Sequence, residues 1–187
     1  MNIFYLHNEA KICAQMHNDK HCVKMILEYS QLLSTAHRVL DGSENVGKSQ
    51  TGRKQTKWVL NDERDSILYS ATHINHPSAI WVRQSDSNYR WLHNLLHELC
   101  KEYTHRYGKI HKCESSGLVD ALSAVPNNIV SAEFTEPTPS MPDEFVVAGD
   151  SICSYRIYYN KAKQHLASWK GKLNGRNVPD WFLLEVV

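Results

Sequence analysis

Three stretches of the chain repeat apolar residues at three- and four-residue steps, the period of an amphipathic helix. In the first, Cys22, Val23, Ile26, Leu27, Ser30, Leu33, Ala36 and Leu40 share a face, and Asp41 and Gly42 supply a helix stop. In the second, over 87–107, the face is Trp91, Leu92, Leu95, Leu96, Leu99 and Tyr103, and Gly108 ends it. The third, over 151–169, places Ile152, Tyr155, Tyr159, Ala162, Leu166 and Trp169 together. Asn8 is placed to cap a helix starting at Glu9, which either runs on past His17 or restarts with Asn18 or Asp19 as its cap. Shorter helices are expected over 61–74, over 77–84 with Pro77 in the first turn, and over 112–125.

Between these elements the periodicity fails. Residues 42–57 are rich in Gly, Ser and Lys and read as a mobile basic loop carrying Lys48, Arg53, Lys54 and Lys57. Four prolines fall between Pro126 and Pro142, so 126–150 reads as an irregular connection of the kind that forms a lid or a binding surface. The first six residues read as a short extended segment, and Trp181 and Phe182 as aromatics docked back on the body. Little strand signal and no internal repeat appear. The pattern predicts an all-α or mainly α fold, a single compact helical domain over 1–187.

Composition narrows the function classes. With 21 Lys and Arg against 20 Asp and Glu, the net charge is +1, too balanced for a protein that coats nucleic acid through bulk charge. No run approaches the roughly 20 apolar residues that span a bilayer, so no membrane partner is expected. Five cysteines with no C-x-x-C pair suit a reduced, cytoplasmic chain. Gly42 to Ser49 matches the phosphate-loop pattern letter for letter. That loop needs a strand before it and a helix after it. Here a helical period precedes it and polar residues follow, so the match is rejected.

The unusual chemistry lies in two segments. Residues 16–24 hold His17, Asn18, Lys20, His21 and Lys24. Residues 72–91 hold His73, Asn75, His76, Trp81, Arg83, Asn88 and Trp91. On one continuous helix, His17, His21, Lys24 and Glu28 share a polar face. Three chemistries use these residues. Phosphate clamping by the histidines, Lys24 and Arg83, with aromatic stacking on a base, uses the most of them. Zinc is an alternative, because His17/His21 and His73/His76 have ligand spacing, with Asp19 or Glu28 as the carboxylate partner, although neither pair has the H-E-x-x-H form and no cysteine pair assists. Acid–base catalysis would fall to His21 and His73. Arg106 and Lys109, near the end of the second long helix, offer a further anion contact.

With Asp19–His21, Val23–Met25, Leu33–His37, Thr72–Pro77, Trp81 and Tyr107–His111 in view, the chain resembles a family of small, uncharacterised proteins of tailed bacteriophages. The resemblance implies a viral accessory protein in the cytoplasm of an infected bacterium, and implies no activity. The expectation is a protein binding a phosphorylated nucleotide, sequestering or cleaving a host immune signal. The alternative is a DNA-acting enzyme that modifies or excises a base, with nucleic acid as partner. A symmetric oligomer is compatible with either.

Overall fold

The computed structural model describes residues 1–48 and 51–182. Within them the chain is mainly α. The helices are α1 (Ala10–Met16), α2 (Asp19–Asp41), α3 (Arg64–Ile67), α4 (Pro77–Val82), α5 (Asp86–Tyr107), α6 (Lys112–Ser115), α7 (Leu118–Ala121) and α8 (Ser151–Ala162). One antiparallel hairpin, β1 (Ser43–Lys48) and β2 (Lys54–Val59), interrupts them.

The two longest helices form the frame. Met25, Ile26, Tyr29, Leu32, Leu33 and Ala36 of α2 are buried with Leu92, Leu95, Leu96 and Leu99 of α5. Asn18 caps α2 by accepting the His21 N–H at 2.8 Å. Ser85 caps α5 through Asn88 N–H, and Gly108 ends it at φ +65°. The helical stripe therefore breaks at His17, where ψ is 133°, and 9–28 is not one continuous helix. Residues 2–6, without regular structure, run through the core, with Ile3 and Leu6 fully covered.

Four boundaries differ from the sequence expectation. The 42–57 loop contains a hairpin whose register sets Glu44 opposite Trp58 and Lys48 opposite Lys54. Its side chains lack an apolar face because neither strand face is packed into the core, so no two-residue alternation marks it. The expected 61–74 helix ends at Ile67. Arg38 takes the carbonyls of Asp65, Leu68 and Tyr69, and this capture holds the chain extended from Leu68 onward. Gly117, at φ +78°, divides 112–125 into α6 and α7. The last long helix stops at Ala162, and Trp169 turns inward to give its N–H to the Met16 carbonyl at 2.9 Å.

The 126–150 connection is irregular apart from a 3₁₀ turn at Asp143–Phe145, and it is stitched down. Thr135 bonds Trp81 and Asn88, and Glu136 accepts the Ser151 N–H. Among the described residues no helix is long and apolar enough to cross a membrane.

Candidate functional site

Three buried histidines are each wired to a tyrosine. His17 Nδ1 lies 2.8 Å from the Cys13 carbonyl, which only accepts, so Nδ1 carries the proton. Nε2 then accepts from the Tyr29 hydroxyl at 2.8 Å, and that hydroxyl accepts the Phe4 N–H. His37 is the reverse case. Its Nδ1 accepts from Arg64, so Nε2–H donates to Tyr89, which donates to the Leu122 carbonyl. Burial drives the pKa of both rings down to about 4. His17 is thus a satisfied core residue with no ring nitrogen left for a ligand.

The third pair differs. His21 Nδ1 faces the Tyr159 hydroxyl at 2.5 Å, while Nε2 has no hydrogen-bond partner among the described residues. Burial pushes the Tyr159 phenol well above its ordinary pKa, and the Asn18 backbone N–H points at its oxygen. The phenol proton therefore goes to Nδ1, and Nε2 carries the ring N–H. Burial, and then the charges of His17, Lys163, Lys24 and His165, lower the His21 pKa to about 3. At neutral pH His21 is an uncharged N–H donor set among cations.

The 72–91 segment mostly builds structure. Trp81 is buried, with Nε1 on Thr135, and Asn88 is buried between Trp81 and Thr135. Arg83 is committed to the carbonyls of Ile74 and Ala79 at 2.7 and 2.8 Å, and Trp91 gives its N–H to Asn8. His76 caps α4 through Nδ1 and meets Ser140 through Nε2. His73, at φ +49°, and Asn75 are exposed. His73 Nδ1 meets Thr72 Oγ1 at 2.7 Å.

Arg106 is also internal. Its guanidinium is fully covered and bonds Glu102, the carbonyls of His17 and Gln15, and Asp19. It joins the ends of α1 and α5 to the start of α2, so the expected anion contact there is spent on the fold. Lys109 is exposed beyond α5.

Lys24 Nζ is 3.0 Å from Glu28. None of the four clefts described, of about 250–430 Å³, is lined by the histidines of both segments; one, between α1 and α5, is lined by Lys11, Glu98, Lys101 and His105. Of the expected ligand residues, Lys20 and Lys24 are exposed on α2, and the Lys24 charge acts on the His21 ring.

The fold adds residues that sequence patterns did not single out. Phe4 stacks on His21 at 4.2 Å and lies near-parallel to Tyr158 at 6.4 Å. Lys163 sits over the Tyr158 ring at 4.8 Å. Phe4 and Tyr158 each read as ordinary apolar positions, and only the N-terminal run laid against α8 shows their role. The His21 ring, with its neutral N–H, thus has Phe4 stacked on it and the charges of Lys24 and Lys163 acting on it.

The phosphate-loop match lies at the end of α2 and along β1, with no strand before it; its last residue, Ser49, is outside the described residues. No three His, Cys, Asp or Glu side chains converge on a metal position among the described residues. His17 has no free ring nitrogen and His21 only one, so that pair does not form the expected chelate. Comparison with protein-family models, curated proteins and solved structures finds no match.

Proposed function

We propose that the protein binds the phosphate-bearing part of a nucleotide around His21, Lys24, Tyr158 and Lys163. The observation that carries this reading is the His21 ring: fixed by Tyr159 on one nitrogen, presenting N–H on the other, and surrounded by cations. A phosphate oxygen accepts that N–H, Lys24 and Lys163 balance its charge, and the base packs on the half-buried Tyr158. A ring whose pKa lies near 3 is a poor acid–base group at neutral pH, which favours binding over turnover. Following the phage resemblance, the role we propose is removal of a host nucleotide signal from solution.

Calorimetry with cyclic, linear and ADP-ribose-derived nucleotides tests this reading. Wild type is expected to bind one of them in the micromolar range. Lys24→Ala, at an exposed position, and Lys163→Ala, at a half-buried one, should each weaken it by about tenfold while leaving the circular dichroism spectrum intact. Absence of heat for every nucleotide at high micromolar concentration ends the proposal. The second reading, action on DNA, is favoured by one separate observation, the basic hairpin.

A further inference from the structure

Two clefts away from His21 share a wall. The first, of about 300 Å³ between α1 and α5, is polar and takes Lys11, Glu98, Lys101 and His105. The second, of about 360 Å³, is lined by the apolar side chains of Ile12, Met16, Val178 and Pro179. Gln15 and Arg176 line both. Helix spacing explains the division. Lys11 and Gln15 stand four residues apart on α1, and so do Ile12 and Met16, so a polar and an apolar stripe run side by side. On α5, Glu98, Lys101, Glu102 and His105 fall on one face by the same rule.

The shared wall is rigid. Glu102 is buried and accepts from Arg176 through Nε at 3.0 Å and Nη2 at 2.8 Å, while Arg106 bonds the same carboxylate at 2.6 Å. The Arg176 backbone N–H is held by the Trp169 carbonyl at 2.7 Å. Arg176 Nη1, the Gln15 amide and the Lys11 ammonium have no hydrogen-bond partner among the described residues. Three N–H donors, two of them charged, are thus left over in a cleft whose acids are already answered. Glu98 is paired with Lys101 at 2.7 Å, and Glu102 with two arginines.

We infer that the two clefts together bind a monocarboxylate with a short apolar tail. Its carboxylate accepts from Lys11, Gln15 and Arg176 Nη1, and its tail lies along Ile12, Met16 and Val178. A single charge fits better than a phosphate's charge of roughly −2, because Glu98 and Glu102 line the polar cleft and the exposed Asp180 lines the apolar one. No residue of this site belongs to the nucleotide proposal, so the two stand or fall separately.

Titration of isotope-labelled protein with sodium hexanoate at fixed ionic strength, followed by proton–nitrogen correlation spectra, tests it. The Gln15 side-chain amide and the Arg176 Nε–H should shift saturably, with a Kd on the order of 1 mM. Acetate, which lacks the tail, should bind about tenfold more weakly. Hexylamine and inorganic phosphate should move neither signal. Lys11→Ala, at an exposed position, should weaken hexanoate about fivefold with melting unchanged. Val178→Ser should lower the preference for hexanoate over acetate by about threefold. The inference is overturned by shifts that do not saturate by about 20 mM hexanoate, or that Lys11→Ala leaves unaltered. Equal binding of acetate would remove the apolar half, and equal binding of phosphate would show a surface that reads charge alone; either also overturns it.

Discussion

Arg106 shows how a residue's role is set by its neighbours. In the sequence it belongs to a basic stretch at a helix end, where cations are ordinarily solvated and favoured by the helix dipole. In the fold it is fully covered and bonded to Glu102 and Asp19. Removing it strands two carboxylates: Glu102, which keeps only Arg176, and Asp19, which keeps Ser168 and the Gly171 N–H. Arg106→Ala is expected to cost about 3–5 kcal/mol and to lower Tm by roughly 10 °C, read by calorimetric melting. A loss within about 0.5 kcal/mol, typical of a surface change, would contradict this internal role. His17 and His21 make the same point from the other side. Four residues apart and alike in composition, they differ because one ring is closed on both nitrogens and the other on one.

At the scale of elements, strong periodicity translated directly. The core of α5 falls along its expected stripe; on α2, Cys22, Ile26, Ser30, Leu33 and Ala36 are buried as expected, but Val23 and Leu27 are exposed, and Met25, Tyr29 and Leu32 turn inward instead. Weak or short elements followed tertiary demands instead. The hairpin depends on the turn out of α2 at Gly42, where an added Cβ would lie 2.5 Å from the Arg38 carbonyl oxygen and 3.1 Å from that of Val59. Both neighbours are backbone, so neither yields cheaply. Gly42→Ala should cost about 1–3 kcal/mol and shift Tm down by a few degrees. Unchanged melting would show that the junction relaxes freely. Arg38 is the matching case for α3: its bonds to the Leu68 and Tyr69 carbonyls stop a helix that local sequence would have continued.

For the whole molecule, the tyrosine-paired histidines make stability depend on pH. His17, His21 and His37 titrate at about 4, 3 and 4 when folded, against about 6.5 when unfolded. The unfolded chain therefore binds more protons below pH 6.5, and stability falls as pH drops from there toward 4. Three such groups give a limiting slope of about 4 kcal/mol per pH unit near pH 5. Burial raises the Glu102 carboxyl, but bonds from Arg176 and Arg106 outweigh it and hold the pKa below the usual range. Its contribution is therefore lost only at still lower pH. Urea midpoints at pH 7.5, 6 and 5 should be flat across the first interval's upper part and fall steeply through the last. A constant midpoint down to pH 5 would refute the neutral, buried state of these rings.

By itself the sequence determined that the protein is mainly helical, where its two long helices run, and that polar and aromatic chemistry collects near their starts. Those are local properties, carried by spacing and by caps such as Asn18 and Ser85. Which of those residues are drawn inside and which stay at the surface was decided by tertiary structure. Trp81, Arg83, Asn88 and Arg106 were drawn inside, because the carbonyls and carboxylates they satisfy come from segments distant in the chain. Phe4, Tyr158 and Lys163 joined His21 because the N-terminal run and α8 pack against α2. Hydrogen-bond partners separated by more than a hundred residues, such as His21 and Tyr159, leave no periodic trace for a sequence pattern to carry.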